Sequence, residues 1–489
     1  MSALASSRTG SGPGLRRHGA AGEGRAHQLK FASAPGIPWP APGAIPGDVS
    51  SLYVHIPFCE RKCEYCDFAS VAGLGGEERY VAALASQIRA LGEALPGTSL
   101  ETVFFGGGTP GFLPPRLLEQ VIGAVLDSFS VQPSAEVTME ANPSSTNLAR
   151  ARQWKAMGFN RISLGIQALD DSVLRFLGRV HSARSAVAAV ADVQGAGFDN
   201  VNCDLIYAVP GLTRESLCSS VSKLLELAPA HISAYELTIE SGTPLSGWAR
   251  ANQARIPLDA ESCDQHWMVV DQLADAGYGQ YEVSNFARPG MECRHNLNYW
   301  RNGYYLAVGT GAHGHLSFSD AAAAGLVAGA GNAAGAGSPV ATGGGYLPRS
   351  LLSGVEEKPQ REEGQPAAVR YWHVSGIGAY CSLVEERRQP VVGLELTGNR
   401  QQSEERLLSG LRLNCGVPAA DLPEPRVADL VDAGLLQYVP PPTVSALGPS
   451  CSQEHRPAPP WVAVTRRGQE LLNLVVSELS YSLDGAADQ

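Results

Sequence analysis

From Ser51 to Ala276, short apolar runs alternate with amphipathic stretches of helical period. The runs Ser51–Ile56, Leu100–Phe105, Ala135–Glu140, Arg161–Gly165, Asn200–Tyr207 and His231–Leu237 predict strands. The stretches Glu77–Leu95, Pro115–Ser128, Thr146–Met157, a helical pattern reaching about Ala196, Arg214–Leu227 and Asp259–Ala276 predict helices. Six βα units in succession call for a parallel sheet with right-handed crossovers. The expected fold is therefore α/β, a partial (βα)6 barrel over residues 49–318, with its chemistry at the strand C-termini.

The pattern breaks elsewhere. Residues 1–48 carry Arg8, Arg16, Arg17, Arg25 and Lys30 against Glu23 and Asp48, in a Ser, Ala, Gly and Pro background. This suits an organellar transit peptide, mitochondrial or chloroplast, or else a disordered tail without an address. Residues 319–366 open on an Ala/Gly-rich low-complexity run and predict a surface insertion, which loop-closure entropy tolerates. Residues 367–482 form a C-terminal domain, itself interrupted by an insertion at 440–460. There Ser403–Leu413, Arg426–Gly434 and Gly468–Leu479 show helical periodicity, and Leu435–Val439 and Trp461–Thr465 read as paired short strands. Together they suggest a small α+β winged-helix-like domain, a shape that does not by itself imply nucleic acid.

Composition sharpens this. With 37 Lys+Arg against 48 Asp+Glu, the net charge of −11 argues against a general nucleic-acid binder. No apolar run reaches the roughly 18 residues of a membrane span. The 54 Gly and 33 Pro exceed the usual share and belong to tails and insertions. Of the 10 cysteines, seven are scattered and three fall within residues 59–66. That is not a secreted disulfide scaffold; it reads as a reducing compartment with one metal or cluster site.

The cysteines lie in HIPFCERKCEYCDF, residues 55–68, with Cys59, Cys63 and Cys66 spaced C-x3-C-x2-C directly after a predicted strand. Three thiolates can hold three irons of a cubane cluster and leave the fourth open to a chelating ligand. A structural zinc site with His55 as fourth ligand, or three unremarkable thiols, are the competing readings. No second C-x2-C knuckle exists to complete a zinc ribbon. One βα unit later, FFGGGTP (104–110) places glycines at the same end of the sheet, where a ligand can approach the backbone; a plain turn is the alternative.

These two motifs together resemble the radical S-adenosylmethionine (SAM) superfamily. More closely, the chain resembles the oxygen-independent coproporphyrinogen oxidase (HemN-like) family. The matching segments are SLYVHIPFC (51–59), GGGTP (106–110), EANP (140–143), RISLGIQ (161–167), DLIYAVPG (204–211) and YEVSNFA (281–287). The resemblance implies a [4Fe-4S] cluster on Cys59, Cys63 and Cys66, with SAM chelating the open iron. It implies SAM contacts at Tyr53, Gly107, Gly108, Thr109, Glu140, Gln167, Arg179 and Asp204. The types make chemical sense: Glu140 and Asp204 can accept from ribose hydroxyls or an ammonium, and the planar Arg179 fork suits a carboxylate.

Coproporphyrinogen oxidases of this type carry a further cysteine two residues after the third ligand, where this chain has Phe68. The Cys66-Asp67-Phe68 ending resembles instead the HemW branch, heme chaperones related to HemN. CRHNLNYW (293–300) points the same way, since HNxxYW is a hallmark of that branch. The resemblance implies that His295 ligates heme iron and that Tyr299 and Trp300 pack on the macrocycle, with Asn296 and Asn298 orienting it. Cys293, His313 and His315 are further candidates. The implied function is heme binding and delivery to apo-hemoproteins, respiratory or other organellar cytochromes, with a homodimer as a possible assembly. The alternative is radical-SAM decarboxylation of coproporphyrinogen III.

Overall fold

The computed structural model describes residues 49–327, 366–422, 424–440 and 460–485. Its centre is a sheet of nine strands. Six of them are β1 (Ser51–Ile56), β2 (Ser99–Gly107), β3 (Ser130–Ala141), β4 (Arg161–Gln167), β5 (Asn200–Tyr207) and β6 (His231–Glu236), adjacent in chain order and all parallel. The helices expected between them form, with ends shifted by a few residues: Glu77–Ala94, Pro115–Ser128, Leu148–Ala156, Arg214–Glu226 and Asp259–Asp275. The pattern expected to run to about Ala196 divides into Asp171–Phe176 and Ala183–Gly195.

Each strand alternates with period two. Leu52, Val54 and Ile56 of β1, Val103 and Phe105 of β2, and Ile162, Leu164 and Ile166 of β4 are buried in the apolar core. The intervening positions are polar or aromatic: Tyr53 and His55, Thr102 and Phe104, Glu136 and Glu140, Arg161 and Ser163, Asn202 and Asp204, His231 and Ser233. These meet one another on the inner face. Asn202 Nδ2 donates to Ser163 Oγ at 2.7 Å, and Nδ1 of His231 pairs with Asn202 Oδ1 at 2.6 Å. The inner face is thus a polar, aromatic surface rather than a packed apolar core.

The sheet extends past the expected six strands on both sides. Leu306–Val308 adds in parallel beside β1, with Leu306 opposite Leu52. Asn285–Ala287 and Gly279–Glu282 add antiparallel beyond β6. The three added strands are three or four residues long, too short for alternation to announce them.

The insertion begins later than expected. Phe318–Ala323 is a helix with Asp320 and Ala321 buried, and Leu326 also enters the core. His313–Ser317 pairs with Ala368–His373, which pairs in turn with Val391–Thr397, so the boundary drawn between 318 and 367 falls between partners in one sheet. The core of the barrel accordingly includes Val369, Tyr371, Tyr380 and Val384. A separate apolar cluster, from Leu407 to Leu479, forms the C-terminal unit. Its expected strand pair is present as Leu436–Val439 against Trp461–Val464, with Val417–Pro418 as a third strand. Its first helix starts at Asn399 rather than Ser403. The expected leader at 1–48, and most of the insertions at 319–366 and 440–460, lie outside the described residues.

Candidate cluster site and the floor beneath it

The cysteine loop hangs from the end of β1. Phe58–Cys59 pairs in parallel with Val71–Ala72, and Gly73 N donates to Cys59 O at 2.7 Å, which closes residues 60–70 into a loop. Cys66 N donates to Cys63 O at 3.2 Å, a turn that brings the second and third cysteines together. His55 braces the loop. Its Nε2–H donates to the Ala69 carbonyl at 2.9 Å, and Nδ1 accepts from the Tyr53 hydroxyl at 3.1 Å. Burial pushes this imidazole down to about 4, so it is neutral. Both nitrogens are occupied, which makes His55 a brace rather than a fourth metal ligand. Tyr80, from the first helix, donates to the His55 carbonyl at 2.8 Å and packs edge-on against Phe58.

The glycine motif lies directly on the root of this loop. Gly107 has φ +110°, and a Cβ there would come 2.4 Å from the His55 ring. At Gly108 a Cβ would meet the Pro57 backbone at 2.7 Å. Gly108 N and Thr109 N donate to Ile56 O and Phe58 O, each at 2.8 Å. Only glycine permits this approach of two chains.

The tops of β2, β3 and β4 then tie two cysteines together. The Thr109 hydroxyl donates to Cys59 Sγ at 3.6 Å and accepts from Asn142 Nδ2 at 2.9 Å. Asn142 Oδ1 accepts from Arg179 Nη2 at 2.6 Å. Arg179 Nη1 reaches Cys63 Sγ at 3.2 Å, and its Nη2 also holds the Gly165 carbonyl at 2.8 Å. Cys59, Cys63 and Cys66 are free thiols. Burial pushes Cys59 and Cys66 above their ordinary thiol range, and a metal would have to displace those protons. Among the described residues no three His, Cys, Asp or Glu side chains converge as ligands of one ion. A cubane does not ask for that, because each cysteine takes its own iron. Three free thiols backed by one guanidinium and one hydroxyl fit the anionic sulfur face of such a cluster.

Glu140 and Asp204 face the same space from β3 and β5. Gly107 N donates to Glu140 Oε2 at 3.1 Å, and Asn202 Nδ2 donates to Asp204 Oδ1 at 2.8 Å. Burial, and then the neighbouring Asp204, push Glu140 up to about 7. Burial also raises Asp204. Two inward carboxyls of this kind suit hydroxyl or ammonium donors. Gln167 sits at φ 61°, just past an irregularity in the β4–β5 pairing, and its amide folds over Gly165. A non-glycine residue in this region stores strain, of order 1–3 kcal/mol. All the residues expected around the cluster and SAM therefore gather at one end of the barrel. The sequence reading missed Asn142, which links Thr109 to Arg179. Its signal was its place in EANP, after Glu140.

The second motif lies at the other end of the strands. Its helix, Arg294–Trp300, starts where the Glu136 carboxylate accepts from Arg294 N at 3.0 Å and His295 N at 3.2 Å. The structure does not present His295 as an open ligand. It is 1% exposed, its Nδ1 contacts Thr102 Oγ1 at 2.7 Å, and its Nε2 contacts the Tyr299 hydroxyl at 2.9 Å. Phe104 stacks on its ring at 5.2 Å. Cys293 is buried, with Sγ donating to Glu136. His315 is buried between Gly303 and Gln402, whereas His313 is exposed and stacks on Trp372 at 6.1 Å. Trp300 carries Arg412 of the C-terminal unit over its ring at 4.9 Å.

Residues 53–224 match the radical SAM superfamily. The heme chaperone HemW of Mycobacterium tuberculosis is 33% identical over 417 residues, covering 84% of this chain and 94% of that protein. The chain belongs to the HemW family. HemW of Escherichia coli is 39% identical over 55% of this chain and 71% of its own length. The mouse protein named radical S-adenosyl methionine domain-containing protein 1, mitochondrial, is 40% identical over 54% of this chain and 60% of its own length. The solved structure of coproporphyrinogen III oxidase (HemN) from Escherichia coli shares the fold, with a TM-score of 0.65 over 88% of this chain and 90% of that one, at 18% identity. This chain thus combines the HemN fold with a cysteine loop that ends on Phe68, a residue 49% exposed.

Proposed function

We propose that this protein is a heme chaperone: it binds heme and passes it to apo-hemoproteins, in mitochondria. The near full-length likeness to HemW carries the reading. The mitochondrial placement rests on the names of the mouse and bovine relatives. We propose further that Cys59, Cys63 and Cys66 hold a [4Fe-4S] cluster and that SAM sits over it. Arg179 and Thr109 would hold the sulfur face. Tyr53, Gly107, Gly108, Glu140, Gln167 and Asp204 would surround SAM. Such a cluster, when bound, supplies one-electron chemistry or a structural charge. The chain's own part is to close the cysteine loop through His55, to set one guanidinium against Cys63, and to keep two carboxyls inward.

The intact chain of contacts from Cys59 to Cys63 favours a second reading, radical-SAM decarboxylation of coproporphyrinogen III, because those residues have little other use. Phe68 and the HNxxYW helix favour the chaperone. An anaerobic assay of reconstituted protein with coproporphyrinogen III, SAM and reductant, beside a heme titration, separates them. Stoichiometric heme binding without decarboxylation is expected. Catalytic formation of protoporphyrinogen would overturn the chaperone reading.

A further inference from the structure

We propose that the axial ligand this chain offers to heme iron is His313, on the surface beside the cysteine loop. The inference rests on the heme-binding reading above and concerns which side chain takes the iron. Each of the other described histidines hydrogen-bonds through a ring nitrogen. His55, His231, His295, His315 and His373 use both nitrogens. Turning any of these five toward iron would leave a partner unpaired, at a cost that is largest where the partner is buried. His313 makes no hydrogen bond among the described residues, and it is exposed.

The imidazole is nonetheless held in place. His313 opens the strand His313–Ser317 and stands directly opposite Trp372. The two rings stack, with centroids 6.1 Å apart and planes 20° from parallel. The indole in turn lies over Gly393, where a Cβ would come within 2.1 Å of it. Glycine at 393 lets the indole settle against the neighbouring strand, so the imidazole rests on a fixed surface while its nitrogens stay unclaimed. A ligand oriented before the metal arrives loses little freedom on binding it.

The cysteine loop is the neighbouring wall. At Gly311, with φ +64°, a Cβ would meet the Ala69 methyl group at 2.7 Å. His55, which holds the Ala69 carbonyl at 2.9 Å, lies close enough to His313 to feel its charge. Phe68, the residue before Ala69, is exposed. Lys62 Nζ donates to the Phe68 carbonyl at 3.1 Å and has two further N–H donors. The loop and the His313 turn thus supply a nitrogen for iron, an aromatic ring for the macrocycle and a cation for its propionates. None of the three is among the residues proposed to hold SAM. Coordination balances without an oxidant. The bond from ferric heme iron to its axial water breaks, an Fe–N bond to His313 forms and the water leaves. The iron stays ferric and the imidazole keeps its N–H.

The test uses the full chain with its cluster reconstituted, titrated with ferric heme and followed by absorbance, electron paramagnetic resonance and resonance Raman. The expected product is one equivalent of ferric heme with an imidazole signature. His313→Ala should lose that signature and bind at least about tenfold more weakly, with iron–sulfur content unchanged. His313→Tyr should replace it by phenolate vibrations. Phe68→Ser should weaken binding but keep the imidazole signature, and His295→Gln should keep it too. A wild-type protein that binds no heme overturns the heme-binding reading and this one with it. Wild-type heme with a thiolate or phenolate signature, or a His313→Ala spectrum and affinity equal to wild type, overturns the ligand assignment alone.

Discussion

Arg179 Nη1 lies 3.2 Å from Cys63 Sγ while Nη2 of the same guanidinium holds Asn142 Oδ1 at 2.6 Å. One planar fork thereby couples the cysteine loop to the end of β3. Lysine has the charge but not the fork. Arg179→Lys should leave the fold intact and make the cluster easier to strip. A charge-assisted hydrogen bond contributes roughly 1.5–3 kcal/mol, so iron release to a chelator should rise by about tenfold or more. A release rate equal to wild type would show that the contact is idle.

Removing a cysteine is a harsher test of the same site. Cys63→Ala should abolish the broad near-visible absorbance of the cluster and reduce reconstituted iron to background. Iron content equal to wild type would remove Cys63 from the ligand set.

The glycine motif makes a prediction about stability alone. Gly107→Ala places a methyl group 2.4 Å from the His55 ring at φ +110°. It should cost about 3 kcal/mol, since strain and overlap add. Gly73 also has positive φ, at +79°, but faces open space. Gly73→Ala should cost only about 1 kcal/mol. Urea unfolding of the two variants compares them; equal costs would mean that the backbone at 107 relaxes freely.

Glu140 predicts a pH dependence of the protein before SAM is added. Its carboxyl is raised in the fold to about 7 from 4.5. A raised acid favours its protonated form, so its contribution to stability is fully present below about pH 4.5 and fades as pH rises through about 7. The group is partly exposed, so the swing should be about 2 kcal/mol or less. Glu140→Gln should flatten the change in unfolding free energy between pH 5.5 and 8. An unaltered slope would assign it to other groups.

Much of the architecture was legible because its causes are local. The six long strands and their helices follow from alternating runs of side chains, and the cysteine spacing sits within one loop. The unannounced parts are those whose reason lies far along the chain. Leu306–Val308 is a strand because β1 has an open edge there. His313–Ser317 is a strand because Ala368–His373 returns to pair with it. Asn142 earned its role only once Thr109 and Arg179 arrived on either side.

The HNxxYW helix marks the same division. Sequence alone identifies the motif and the family that it resembles. It does not say which partners the imidazole takes. Helical spacing puts His295 and Tyr299 one turn apart on one face. Thr102 and Phe104, almost two hundred positions earlier, claim the imidazole, whose other nitrogen meets the Tyr299 hydroxyl. Local periodicity can therefore be read from a string of residues. The choice of a partner for a buried polar group is made only when distant strands close around it.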